Sequence, residues 1–130
     1  MPVPRADQRA WMKRARGNLA QARLGLLSPD MLYEDLCFAA QQAVEKAIKS
    51  VLVGRGVFFP KTHDIADLLT LAAKAGLNIP KTVLESALLT EYAVEARYPG
   101  VSEDVSEEEY RQALALAETV VSWAESCLGP

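Results

Sequence analysis

Apolar residues recur along this chain at intervals of three and four, and no stretch shows the strict alternation of a strand. That periodicity predicts helices throughout. The clearest is the stretch from Ser28 to Arg55. Ser28 suits an N-cap, Pro29 the first helical position, and Gly54 a stop. At about 100° per residue, Leu32, Leu36, Ala39, Ala40, Ala43, Val44, Ala47, Ile48 and Val51 cover half of the helix. Glu34, Asp35, Gln41, Gln42, Glu45, Lys46 and Lys49 take the opposite arc. So wide an apolar arc touches two neighbours, and its alanines admit them closely, so this is the predicted central helix of a bundle. Phe38 breaks the pattern by standing in the polar arc.

The flanking segments follow the same period. Arg5 to Leu27 predicts a first helix, with Trp11, Ala15, Leu19, Ala22 and Leu26 as its apolar stripe. Arg9, Lys13, Arg16 and Arg23 form a basic stripe beside it, either a solvated face or a surface for phosphate or a partner. Gly54 to Thr62 is a loop in which Phe58-Phe59-Pro60 is expected to fold back over the bundle end. A short third helix starts at Thr62 or His63 and stops at Gly76, with Ile65, Leu68, Leu69, Leu71, Ala72 and Ala75 inward. Lys81 to Ala96 predicts a fourth helix whose apolar face is Leu84, Ala87 and Leu88. Continued along the helix, that face reaches Glu91 and Glu95, with Tyr92 at its edge, and then Arg97-Tyr98-Pro99. Either this helix end leaves the core, or it lines a polar cleft. Ser106-Glu107-Glu108-Glu109 reads as a capping box opening the last helix. Tyr110, Ala113, Leu114, Leu116, Ala117, Val120, Val121, Trp123, Ala124, Cys127 and Leu128 form that helix's broad apolar face.

Composition narrows the function. The 130 residues make one domain, 1–130, with enough apolar content for a core unaided by metal or disulfide. No apolar run approaches the roughly 20 residues of a membrane span, and the first residues do not resemble a secretory signal. Two cysteines, Cys37 and Cys127, are too few for a disulfide framework, so a reduced, cytoplasmic setting is expected. The net charge of −3 conceals a division. Residues 1–61 hold ten Lys/Arg against five Asp/Glu, and residues 62–130 hold four against twelve, giving +5 and −8. General affinity for nucleic acid is not expected of so acidic a chain. His63 is the single histidine; alone it cannot assemble a histidine-based metal site, and at a helix start beside Asp64 it reads as a hydrogen-bonded structural residue. Gly54-Arg55-Gly56 lacks the strand and the Lys-Ser/Thr of a P-loop.

Three pieces occur in order: Gln41-Gln42-Ala43-Val44-Glu45-Lys46-Ala47-Ile48-Lys49, Lys61-Thr62-His63-Asp64-Ile65 and Glu95-Ala96-Arg97-Tyr98-Pro99. Their order and spacing resemble the HEPN family, the higher-eukaryote and prokaryote nucleotide-binding domain, and its short stand-alone prokaryotic members above all. The resemblance implies an all-α fold, an up-and-down four-helix bundle with an additional short helix, usually a homodimer. It further implies a small nucleotidyltransferase partner, which such a protein serves as substrate-binding subunit or as half of a toxin–antitoxin pair. Many members are metal-independent ribonucleases with an arginine followed four to six residues later by a histidine. The resemblance places Arg97 at the arginine, but no histidine follows it here. The expectation is therefore a non-catalytic nucleotide-binding protein without cofactor or metal. Its site would comprise Glu91, Glu95, Arg97 and Tyr98, closed by Gln42, Lys46 and Lys49, with Phe38 anchoring the dimer. The alternatives are a ribonuclease using Arg97 with Tyr98, or with Glu95 as base, and a purely structural dimeric scaffold.

Overall fold

The computed structural model describes residues 5–94 and 104–128, and every described element is helical. Helix α1 (Arg5–Ala22) runs antiparallel to α6 (Glu107–Cys127), since Arg16 pairs with Glu125 and Arg23 with Glu118. Between them lies α2 (Tyr33–Gly54), which packs most extensively on α1 and α6 and also meets α3 (Ile65–Lys74). Two short helices, α4 (Lys81–Glu85) and α5 (Glu91–Val94), flank a 3₁₀ turn at Ser86–Thr90 and complete the described bundle. The expected all-α bundle is what the chain forms.

Small residues set the helix spacing. Ala15, Ala22, Ala40, Ala43, Ala47, Ala72, Ala117 and Ala124 are fully buried, leaving Met12, Ile48, Leu52, Leu68 and Val120 to interdigitate between them. Cys37 is buried among them as a small hydrophobe, and Cys127 is half-buried, where burial pushes its thiol up. The ion pairs along α1 and α6 answer part of the charge division: basic Arg16 and Arg23 meet acidic Glu125 and Glu118. Both pairs are solvated, so each contributes at most about 1 kcal/mol.

Several boundaries differ from expectation. α1 ends at Ala22, five residues before Leu27. Gly25 sits at φ +68°, which turns the chain out of the helix, and Leu26 is exposed. Ser28 does not cap α2. Its hydroxyl accepts from the Asp30 amide at 3.1 Å, and its carbonyl accepts from Met31 at 3.1 Å, closing a separate turn. The helix then begins at Tyr33, leaving Leu32 exposed. The third helix is capped by Asp64, whose carboxylate accepts from the Ala66 amide. Gly76, at φ +91°, lies just beyond its end. Phe59 does fold back, packing edge-on against Trp11 with centroids 6.1 Å apart, whereas Phe58 stays exposed.

The largest correction concerns the fourth helix. Its buried residues are Val83, Ser86 and Leu89, while Leu84 and Leu88 are exposed, Leu88 by 73%. Buried positions every three residues suit the three-per-turn period of a 3₁₀ helix, so the tighter winding turns a different face inward. The Ser86 hydroxyl, buried here, donates to the Val83 carbonyl at 2.6 Å and competes with the α-helical ladder. Residues Glu95 and Ala96, expected to finish this helix, lie outside the described residues. The last helix starts as expected: Ser106 accepts from the Glu109 amide, and Glu109 accepts from the Ser106 amide.

Candidate functional site

From Gln41 onward, the polar arc of α2 is not a solvated face. Gln41, Glu45 and Lys49, each one turn from the next, are all buried. The covering layer comes from α1 and from the loop after α2, which bring Trp11 and Phe59 over this side. Glu45 is the hub, with only 4% of its side chain exposed. Its Oε1 accepts from Lys49 Nζ at 2.6 Å and its Oε2 from Gln41 Nε2 at 3.0 Å. His63 Nδ1 lies 3.2 and 3.1 Å from the same two oxygens.

Burial alone would raise the Glu45 carboxyl. The hydrogen bonds from Lys49, Gln41 and His63, with the Lys49 charge, outweigh it and hold the group below its ordinary value. The carboxylate is therefore ionised, so the His63 Nδ1–H must be the donor. The His63 side chain is 61% exposed, so it links the buried carboxylate to the surface. His63 is hydrogen-bonded as expected, but its partner is Glu45 on α2 rather than its neighbour Asp64. Lys49 Nζ also lies 5.5 Å from the Trp11 ring centre and 5.6 Å from that of Phe59. A desolvated cation against an aromatic face is stabilised on the order of 2 kcal/mol.

The expected site residues divide into three groups. Gln42 joins the hub, donating to Gln41 Oε1 at 2.7 Å. Lys49 is buried in the hub, its ammonium engaged by Glu45. Lys46 turns instead towards α1, where it donates to Asn18 Oδ1 at 2.8 Å. Glu91 opens α5 on an exposed position, and neighbouring Tyr92 donates to Glu109 Oε2 at 3.3 Å. Burial, together with Cys37, Glu109 and Glu91 nearby, pushes the Tyr92 phenol up. Glu95, Arg97 and Tyr98 lie outside the described residues. Phe38 is 45% exposed on α2. The Glu45 hub was missed as a unit, although its signal was present: three polar residues in register at four-residue spacing, in the stretch that precedes Thr62-His63-Asp64. Among the described residues, no cluster of His, Cys, Asp and Glu is placed to hold a metal ion, and no helix is long and apolar enough to cross a membrane.

Compared with known families, residues 8–127 match the HEPN domain model. The chain belongs to the HEPN family. Among solved structures, this HEPN chain is similar to an archaeal HEPN homologue at 26% identity and TM-score 0.72, covering 93% of this chain and 97% of that one. It is also similar to a protein from Thermus thermophilus at 33% identity and TM-score 0.74, covering 92% and 97%. Comparison with curated proteins gives no significant match. The matched span includes all three motif pieces and the whole Glu45 hub, so the buried network is part of the HEPN unit in this chain.

Proposed function

We propose that this HEPN domain binds a nucleoside phosphate without cleaving RNA, and that it acts as a homodimer with a small nucleotidyltransferase as partner, in a substrate-binding or toxin–antitoxin pairing. The observation that carries the non-catalytic part is the employment of the single histidine. It stands at position 63, upstream of Arg97, and is tied to a buried carboxylate. The arginine-then-histidine pair of HEPN ribonucleases therefore has no second member here. Binding is supported by the polar and cationic groups at the edge of α2: Gln42, held by the hub, and Lys46, held by Asn18. Arg97, Tyr98, Glu95 and Glu91 complete the proposed set. Arginine suits phosphate through its planar fork of donors, and a phenol ring can stack on a base. Lys49, already neutralised by Glu45, acts by holding the hub together.

Calorimetric titration of the wild type and of Arg97→Ala with ATP and other nucleotides tests this reading. A charged hydrogen bond contributes about 1.5–3 kcal/mol, so the substitution should weaken binding roughly 10- to 100-fold with helicity unchanged. Equal binding by both proteins removes Arg97 from the site. Absence of nucleotide binding, alone and with the nucleotidyltransferase added, favours a structural scaffold. Arg97-dependent cleavage of single-stranded RNA replaces the binding reading with the ribonuclease one.

A further inference from the structure

A second feature of the same helix pair is a pocket to which the motif pieces contribute Lys46 alone. Between α1 and α2, Asp7, Ala10, Trp11, Arg14 and Lys46 line a recess of about 450 Å³. That volume falls within the range of about 300–1,000 Å³ typical of small-molecule sites. Its wall is a fixed aromatic. The Trp11 indole is held edge-on by Phe59 and touched by the buried Lys49 ammonium, so its orientation is set by the core rather than by solvent.

Two cations face this recess from different helices. Lys46 is anchored by Asn18, and Arg14 comes from the next turn of α1 beyond Trp11. Partial burial, the facing Arg14 guanidinium and nearby Lys49 weaken the hold of Lys46 on its proton, against the pull of Glu45. Like charges facing one another are relieved by an anion between them. The one acid, Asp7, lies in the same lining and accepts hydrogen bonds only. Two positive groups and one negative leave the recess at +1, with an aromatic wall, a phosphate-binding pair and a hydroxyl- or amine-seeking carboxylate.

We infer that the recess between α1 and α2 binds a nucleoside monophosphate, its base stacked on Trp11, its phosphate between Arg14 and Lys46, and its sugar hydroxyls or base amine on Asp7. This rests on the nucleotide-binding reading and names the pocket and the ligand class. A monophosphate matches a lining that carries one net positive charge better than a triphosphate does. Inorganic phosphate alone leaves the indole and Asp7 unused.

The test uses Trp123→Phe protein, so that fluorescence reports Trp11 alone. AMP, ATP, adenosine and inorganic phosphate are titrated into it, and then into Lys46→Gln and Arg14→Gln versions. Position 46 is only partly buried and position 14 is exposed, so both variants should keep the fold; circular dichroism checks this. AMP should quench Trp11 and bind more tightly than phosphate or adenosine. Each variant should lose roughly 5- to 20-fold in AMP affinity, the scale of one partly solvated charged hydrogen bond. Lys74→Gln, on α3, should lose none. If AMP or ATP binds and only Arg97→Ala weakens it, the recess is not the site, and nucleotide binding itself stands. If wild-type protein binds none of the four by fluorescence or calorimetry, the nucleotide-binding reading fails and this inference falls with it.

Discussion

Replacing Glu45 by alanine should be among the most damaging single changes in the protein. The carboxylate is 4% exposed and its partner Lys49 10% exposed, so truncation leaves a buried ammonium with no counter-charge. Gln41 and His63 lose an acceptor at the same time. Breaking a buried ion pair from one side costs about 3–5 kcal/mol. For a domain of this size, that is a fall in Tm of about 10–20 °C. Replacing both partners by apolar residues of similar volume, Glu45→Leu with Lys49→Met, should recover most of this loss, because no charge is then buried alone. Urea unfolding followed by circular dichroism measures both, and Glu45→Gln serves if the alanine variant does not fold. A loss below about 1 kcal/mol for Glu45→Ala, the value of a solvated pair, would refute the buried hub, as would a double variant no better than the single one. Acid adds an independent check. The folded Glu45 carboxyl is held below its ordinary 4.5. The stability it contributes is therefore fully present above that value, and is lost as pH falls through the lower folded one. Glu45→Gln should lack this component, so the gap between wild type and variant should narrow as pH falls below 4.5.

Other expectations are simpler to state. Tyr110→Phe removes the buried donor that reaches the Ala22 carbonyl at 2.6 Å while keeping the ring stacked on Tyr33, and should cost about 1–2 kcal/mol in urea unfolding. Ser106→Ala deletes the accepting half of the α6 capping box and should cost about 1 kcal/mol; no change would mean that another group caps the helix. Phe38→Glu places a charge on a half-exposed aromatic and should shift sedimentation from dimer to monomer with helicity intact. A wild type already monomeric at micromolar concentration would exclude Phe38 as an interface anchor.

How much was legible depends on the range of the force concerned. The capping box at Ser106 is settled within four residues, and its sequence pattern reads correctly. The core alanines of α2 follow from period alone. Ser28-Pro29 carries an equally good local signal, yet it closes a turn, because the turn and a helix cap use the same side-chain acceptor. Leu84 and Leu88 point inward only at 3.6 residues per turn, a period that a buried serine between two apolar positions changes. The Glu45 hub was the least legible feature. A polar arc looks the same from within one helix whether water or Trp11 and Phe59 lies over it, and those rings arrive from elsewhere in the chain. Arg97, Tyr98 and Glu95 lie outside the described residues, and their part in the site rests on the sequence.

The Tyr110 hydroxyl has a consequence for the order in which the molecule can be completed. The carbonyl that it satisfies belongs to the last residue of α1, 88 positions earlier. During synthesis the first two helices therefore exist for most of the chain's emergence without the group that finishes α1 and without the partner stacked on Tyr33. An N-terminal fragment ending before α6 lacks the donor for the Ala22 carbonyl and leaves one flank of α2 open to water. The bundle is thus closed by α6, which covers α1 and α2 together and ties the end of the first to the start of the last described helix.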